Sequence, residues 1–232
     1  MSHYLFPPPP VASLPVTGED ALFPVARIFC VGRNYAAHAA EMGNEVDREA
    51  PFYFTKSPAA LTRSGAVVPY APGTADLHHE VELVVAIGAP AFRISAAAAP
   101  AVVWGYACGL DMTRRDLQGQ AKDKRRPWDT GKDFEQSAVI AALTPARAWG
   151  APDARPIRLT VNGATRQEAP LSDMVWSVTE IIAHLSTLYH LGPGDLIMTG
   201  TPAGVGPVVA GDRLEGTVEG LAPVILTIGP AE

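Results

Sequence analysis

Most apolar residues of this chain lie in short runs bounded by glycine, proline or small polar residues, a pattern that favours strands over helices. Strands are expected at 27–32, 52–55, 66–69, 80–87, 102–110, 137–143, 157–161, 195–199, 212–218 and 222–228. Asn162-Gly163, between two of these runs, is the strongest hairpin-turn signal in the chain. Helical signals are confined to three places. A short Ala-rich helix is expected from an Asn34 cap through Tyr35 to Met42, and a second over 113–124 with a cap at Thr113. The third, over 178–190, opens with the capping box Ser177-x-x-Glu180 and stops before Gly192-Pro193. Its stripe Ile181, Ile182, Leu185 and Leu188 is expected to face the core. Many strands with few helices predict a β-rich α+β domain rather than a doubly wound sheet. Residues 1–24, with prolines at 7–10 in extended polyproline geometry, read as an N-terminal arm, and 25–232 as a single domain. The polar segment 43–50 has no periodicity and reads as a mobile loop.

One strand breaks its own pattern. In His78-His79-Glu80-Val81-Glu82-Leu83-Val84-Val85-Ala86-Ile87-Gly88, two carboxylates stand where apolar residues belong. Alternation puts Glu80 and Glu82 on one face, about 6–7 Å apart along the backbone. Like charges in an apolar strand are costly unless a proton or a cation neutralises them, and a hard ion such as Mg²⁺, Mn²⁺ or Ca²⁺ would do so. An edge strand with its Glu face in water explains the same residues. Asp111, ending the apolar run 102–110, offers a third carboxylate, or else helps to cap the helix that follows. The three together would suit Mg²⁺ or Mn²⁺ better than zinc. His78 shares their strand parity.

Composition narrows the function classes. The chain has 232 residues, 47% apolar and 18% charged, as in globular proteins. Its net charge of −6 argues against general nucleic-acid binding, and the only dense basic run, 122–126, is short. Cys30 and Cys108 are far apart in apolar runs, which predicts buried free thiols in a reducing compartment. The first residues lack the pattern of a signal peptide, and the uncharged stretch 94–110 is interrupted by Pro100, Gly105 and Gly109. A cytoplasmic protein without a membrane span is expected.

Two further groups could carry chemistry. His38 and Glu41 lie three apart on the short helix, so the carboxylate can orient the imidazole; an ordinary surface pair is the alternative. The Gly-rich loop Thr199-Gly200-Thr201-Pro202-Ala203-Gly204-Val205-Gly206 follows a strand and can present N–H groups and hydroxyls to an anion, or can simply turn tightly. Lys132 is a candidate cation for an oxyanion or a substrate carboxylate.

Together these segments resemble the fumarylacetoacetate hydrolase family, in its single-domain acylpyruvate and fumarylpyruvate hydrolase branch. The resemblance is carried by Val31-Gly32-Arg33-Asn34-Tyr35-Ala36-Ala37-His38, Leu77-His78-His79-Glu80-Val81-Glu82-Leu83, Gly109-Leu110-Asp111-Met112-Thr113-Arg114-Arg115-Asp116-Leu117-Gln118, Val161-Asn162-Gly163 and the 199–206 loop, in family order. It implies a rolled, barrel-like mixed β-sheet with few short helices, a homodimer, and Mg²⁺ or Mn²⁺ held by Glu80, Glu82 and Asp111. It implies a catalytic dyad of His38 and Glu41 on a segment that closes over the site. Lys132 and Thr201 are implied to hold substrate and developing charge, with Gln118 and Arg33 as substrate-binding residues. The implied reaction is hydrolysis of a 2,4-diketo acid to pyruvate and a carboxylic acid in aromatic-compound catabolism. Fumarylpyruvate is the favoured substrate, since Arg114, Arg115 and the 122–126 run could supply a cation for its second carboxylate. Oxaloacetate decarboxylation, a related isomerase-decarboxylase activity and a non-catalytic metal-dependent binding protein are the alternatives.

Overall fold

The run that carries the two glutamates forms the Val81–Ile87 strand, and every residue of it is buried. In this computed structural model, which describes residues 3–41, 43 and 48–232, that strand lies inside a curled mixed sheet. The strand order across the sheet is Phe52–Lys56, Arg27–Gly32, Asp195–Met198, Val81–Ile87, Val103–Asp111, Ala138–Ile140 and Leu61–Arg63. Asp195–Met198 runs parallel to Arg27–Gly32, and Ala138–Ile140 to Leu61–Arg63; the other pairings along this path are antiparallel. A second sheet orders Ala164–Pro170, Pro156–Val161, Arg213–Val218, Val224–Ala231 and Ala66–Tyr70. Its first hairpin turns at Asn162-Gly163, both with positive φ (52° and 80°), as a type I′ turn requires.

Side-chain alternation sorts the central strand between two cores. Val81, Leu83, Val85 and Ile87 pack with Leu159, Leu214 and Leu226 of the second sheet. Val84 and Ala86 pack with Ile28, Cys30 and Met198, and with Leu14 from near the N-terminus. Burying each large apolar side chain contributes roughly 1.5–3 kcal/mol. Glu82 shares the face of Val84 and Ala86, so this packing holds it out of water, and the edge-strand explanation falls.

Several expectations are corrected. The strand expected over 80–87 is interrupted at Glu80, which separates Leu77–His79 from Val81–Ile87. Thr113 does not cap a helix: Thr113–Arg114 pairs with Leu77–His79, and the helix begins at Arg115. Asn34 does not cap with its side chain, which bonds Trp176 and the Thr199 carbonyl and ties Arg27–Gly32 to two distant loops. The Ser177–Glu180 capping box is present, but Leu188 of its stripe is exposed. Within the 1–24 arm, Ser13–Val16 and Glu19–Pro24 form a hairpin that buries Leu14, Val16 and Phe23. Residues 44–47 of the loop expected over 43–50 lie outside the described residues, as does the Met42 end of the first helix. Among the described residues no helix is long and apolar enough to cross a membrane.

Candidate active site

Glu80, Glu82 and Asp111 converge. The Asp111 N–H donates to the Glu80 carbonyl (2.8 Å), which draws the end of Val103–Asp111 against the break at Glu80. One carboxylate oxygen of each residue lies within 4.8 Å of the other two, and all three are buried. His78, of the same strand parity, does not join them; its Nε2 pairs with Asp76 at 2.9 Å.

Basic residues surround the carboxylates. Lys132 Nζ donates to Glu80 Oε2 (2.8 Å), Asp111 Oδ2 (2.7 Å) and Thr113 Oγ1 (2.7 Å), so all three ammonium protons are engaged. Arg115 donates to the other Glu80 oxygen and to Gln118 Oε1 (2.6 Å), leaving the Gln118 amide hydrogens for a ligand. Lys56 Nζ lies 2.8 Å from Asp111 Oδ1. Its protons, however, point to Ser137 Oγ (2.9 Å) and to the carbonyls of Lys132 and Met112. Asp111 Oδ1 is therefore a buried carboxylate oxygen without a hydrogen bond.

The charges do not balance evenly. Burial works against ionised Glu80, but the Lys132 ammonium and the Arg115 guanidinium hold its carboxyl well below the usual range. Burial, and then the nearby Asp111 and Glu80, push Glu82 well above that range despite the hydrogen bond from Gly200. Burial disfavours the Lys132 cation, yet Asp111 and Glu80 keep its pKa raised. The pocket thus has one carboxyl that local cations do not neutralise and one carboxylate oxygen whose ammonium neighbour, Lys56, is turned to other acceptors. A hard divalent cation fits this all-oxygen set.

Glu82 gives a pH-dependent prediction. Its pKa is higher folded than unfolded, so the metal-free fold holds its proton more tightly and loses stability as pH rises from the ordinary carboxylate range through the raised value. Mn²⁺ binding near neutral pH is expected to expel that proton. Calorimetric titration in two buffers of different ionisation enthalpy measures the release, and binding without proton release would contradict the assignment.

The two residues expected to form a dyad, His38 and Glu41, lie on the Ala36–Glu41 helix. His38 is buried, with Nδ1 3.3 Å from Glu41 Oε2. His38 borders the same chamber as Glu80, Glu82, Lys132, Gln118 and Thr201. A proton on Nδ1 facing Glu41 leaves Nε2 as the free base. The Gly-rich loop does present N–H groups to anions, but these are the protein's own carboxylates. Gly200 donates to Glu82 Oε2 (2.8 Å) and Gly204 to both Glu41 oxygens (3.1 and 3.2 Å). At Gly204, φ is +95° and a Cβ would stand 2.0 Å from the Arg166 carbonyl oxygen, so glycine is required.

The inner chamber is small, about 40 Å³, and opens beside an outer cavity of about 660 Å³ walled by Phe52, Tyr53, Trp176 and Arg126. Arg33, in left-handed conformation (φ 58°), borders both, as do Gly32, Phe54 and Trp128. Of the cations expected for a distal carboxylate, Arg115 is engaged by Glu80. Arg114 donates to the Thr130 carbonyl and lies over the Phe134 ring. Lys122 remains on the inner wall and Arg126 on the outer. Lys56, Ser137 and Gln167 were missed in the sequence. Only the inward parity of Lys56 with Phe54 at the end of an aromatic strand could have signalled one of them.

Comparison with known proteins agrees with this geometry. The family model described as fumarylacetoacetate (FAA) hydrolase C-terminal matches residues 27–228. The chain is 55% identical over 193 residues to a fumarylpyruvate hydrolase of a Ralstonia species, covering 82% of this chain and 100% of that protein. It is 40% identical over 205 residues to the mitochondrial oxaloacetate tautomerase of Homo sapiens, covering 88% and 92% of the two chains. Among solved structures, fumarylpyruvate hydrolase from Pseudomonas aeruginosa in complex with Mn²⁺ and pyruvate superposes with a TM-score of 0.94 at 44% identity, over 98% of this chain and 100% of that one.

Proposed function

This chain belongs to the fumarylacetoacetate hydrolase family, and on that footing we propose that it hydrolyses the carbon–carbon bond of an acylpyruvate, fumarylpyruvate foremost, to pyruvate and a carboxylic acid. The observation that carries the reading is one chamber bordered by the buried Glu80 and Glu82 and by His38, with Asp111 converging on the two glutamates and Glu41 paired to the imidazole. Mg²⁺ or Mn²⁺ on those three carboxylates supplies Lewis acidity toward a 2-oxo acid. The relative with Mn²⁺ and pyruvate supports that cofactor and that product.

The chain's own groups do the rest. Glu41, itself held by Gly204, keeps the His38 proton on Nδ1, and Nε2 takes a proton from water as its oxygen adds to the distal carbonyl carbon. Lys132, its three protons held by Glu80, Asp111 and Thr113, stabilises developing negative charge as a fixed nearby cation, and the Thr201 hydroxyl donates to the bound substrate. Collapse of the tetrahedral adduct breaks the bond to the methylene carbon and leaves the electron pair on the pyruvate enolate. The imidazolium returns its proton to that carbon. Residues 25–232 act as one catalytic unit, and the cytoplasmic homodimer of aromatic catabolism belongs to the same reading by family resemblance. A second reading, proton transfer on oxaloacetate, is favoured by the tautomerase relatives. Pyruvate release from fumarylpyruvate and the enol-to-keto conversion of oxaloacetate, followed by the ultraviolet absorbance of the enol, each with Mn²⁺ and with chelator, separate the two. Metal-dependent pyruvate from fumarylpyruvate is expected, and its absence overturns the hydrolase.

The substrate's second carboxylate has a place to go. The side chains of Arg33 and Lys122 border the chamber, and neither has a hydrogen-bond or ion-pair partner among the described residues. Partial burial, then the charges of Arg33 and Arg115, lower the Lys122 pKa, so an anion is welcome there. Arg33→Gln and Lys122→Gln are each expected to raise KM for fumarylpyruvate about 10- to 100-fold, the worth of a charge-assisted hydrogen bond. KM for acetylpyruvate, which lacks that carboxylate, should hardly move. Equal losses on both substrates would remove the assignment.

A further inference from the structure

Gln167, on the Ala164–Pro170 strand, is buried and reaches from the second sheet to the Gly-rich loop. Its Oε1 accepts from His79 Nδ1 (3.1 Å) and from the Val81 N–H (3.1 Å). Its Nε2 donates to Thr201 Oγ1 (2.8 Å) and to the Pro202 carbonyl (2.7 Å). The orientation of the amide is not arbitrary. The Val81 N–H can only donate and the Pro202 carbonyl can only accept, so a flipped amide would set donor against donor and acceptor against acceptor. Thr201 Oγ1 is therefore an acceptor toward Gln167, and its own proton must go elsewhere. Thr201 borders the inner chamber, and its hydroxyl makes no other hydrogen bond among the described residues.

We propose that Gln167 is a positioning residue that turns the Thr201 hydroxyl into an obligatory hydrogen-bond donor to an oxygen of the bound 2-oxo acid. The proposal rests on the reading of the site as one for 2-oxo acids. A donor whose direction is set before the ligand arrives pays no reorientation when charge develops, which is the condition for strong electrostatic stabilisation. Through Val81 and Pro202 the same side chain also clamps the strand behind Glu80 and Glu82 to the loop that carries Gly200 and Gly204.

The test compares Gln167→Glu with Gln167→Met. A carboxylate at 167 keeps both acceptor bonds but accepts from Thr201, so the hydroxyl proton leaves the chamber, and it sets an oxygen against the Pro202 carbonyl. A methionine loses all four bonds yet leaves Thr201 free to turn toward a ligand. Pyruvate affinity of the Mn²⁺-loaded protein, by calorimetry, is expected to fall about 10- to 100-fold in Gln167→Glu and less in Gln167→Met. Thr201→Val should lower affinity as far as Gln167→Glu, with little added when the two are combined, and Thr201→Ser should keep it. Gln167→Met losing more affinity than Gln167→Glu, or additive losses in the double variant, would reduce Gln167 to a structural part. Should Gln167→Met not fold, the Gln167→Glu and Thr201→Val cycle decides alone. Wild-type protein that binds pyruvate without cleaving a diketo acid would overturn the hydrolase and leave this proposal standing. Wild-type protein that binds no pyruvate with Mn²⁺ would overturn both.

Discussion

His38→Ala is expected to lower kcat for fumarylpyruvate by about 10²- to 10⁴-fold, the usual worth of a general base. His38 is the one imidazole bordering the inner chamber among the described residues, and its Nδ1 is taken by Glu41. The chamber's other polar side chains are cations, amide, hydroxyl or carboxylates already engaged, so none replaces Nε2 as a proton acceptor at neutral pH. Mn²⁺ affinity should change little, because His38 is outside the carboxylate trio. Glu41→Gln should lie between wild type and His38→Ala, since it keeps a hydrogen bond but loses the charge that favours imidazolium. A His38→Ala protein with near-normal turnover would remove the base and with it the attacking water.

Asp111→Ala should destabilise the metal-free protein by about 3–5 kcal/mol, the cost of stranding a buried partner charge. Asp111 stands between two buried ammonium groups, Lys132 at 2.7 Å and Lys56 at 2.8 Å. Lys132 keeps Glu80 and Thr113, but Lys56 loses its nearest carboxylate. Glu82→Gln makes the instructive contrast. Burial, Asp111 and Glu80 favour the protonated form of Glu82 in the metal-free fold, so a neutral amide of the same shape is expected to change stability by no more than about 1 kcal/mol. Both variants lose a ligand and should bind Mn²⁺ far more weakly. Urea unfolding in chelator, beside Mn²⁺ titration, reads the two effects separately, and equal stability of the two variants would contradict the charge distribution described.

The convergence of Glu80, Glu82 and Asp111 was legible in part because its signals are local: two carboxylates two residues apart in an apolar run, and an aspartate closing the next strand. The Asn162-Gly163 hairpin and the Ser177–Glu180 box were legible for the same reason, since each motif is complete within a few residues. What stayed hidden depends on partners remote in the chain. Lys56 looks like a solvated lysine until Lys132 and Ser137, 76 and 81 residues away, are folded against it. Asn34 fits a cap by type, yet its partner Trp176 lies 142 residues on. The Pro-rich start concealed a hairpin because composition registered prolines rather than the alternation of Leu14 and Val16 about Gly18. Arg114 and Arg115 are adjacent and look alike, and only packing sends one to Phe134 and the other to Glu80.

The measurement to make is the mass of the fumarate released from fumarylpyruvate by the Mn²⁺-loaded protein in ¹⁸O-water. Attack of water on the distal carbonyl places one labelled oxygen in the fumarate carboxylate formed at the cleaved bond, with an equal amount of pyruvate. No fumarate, or turnover of oxaloacetate alone, would contradict the hydrolase and return the site to its second reading.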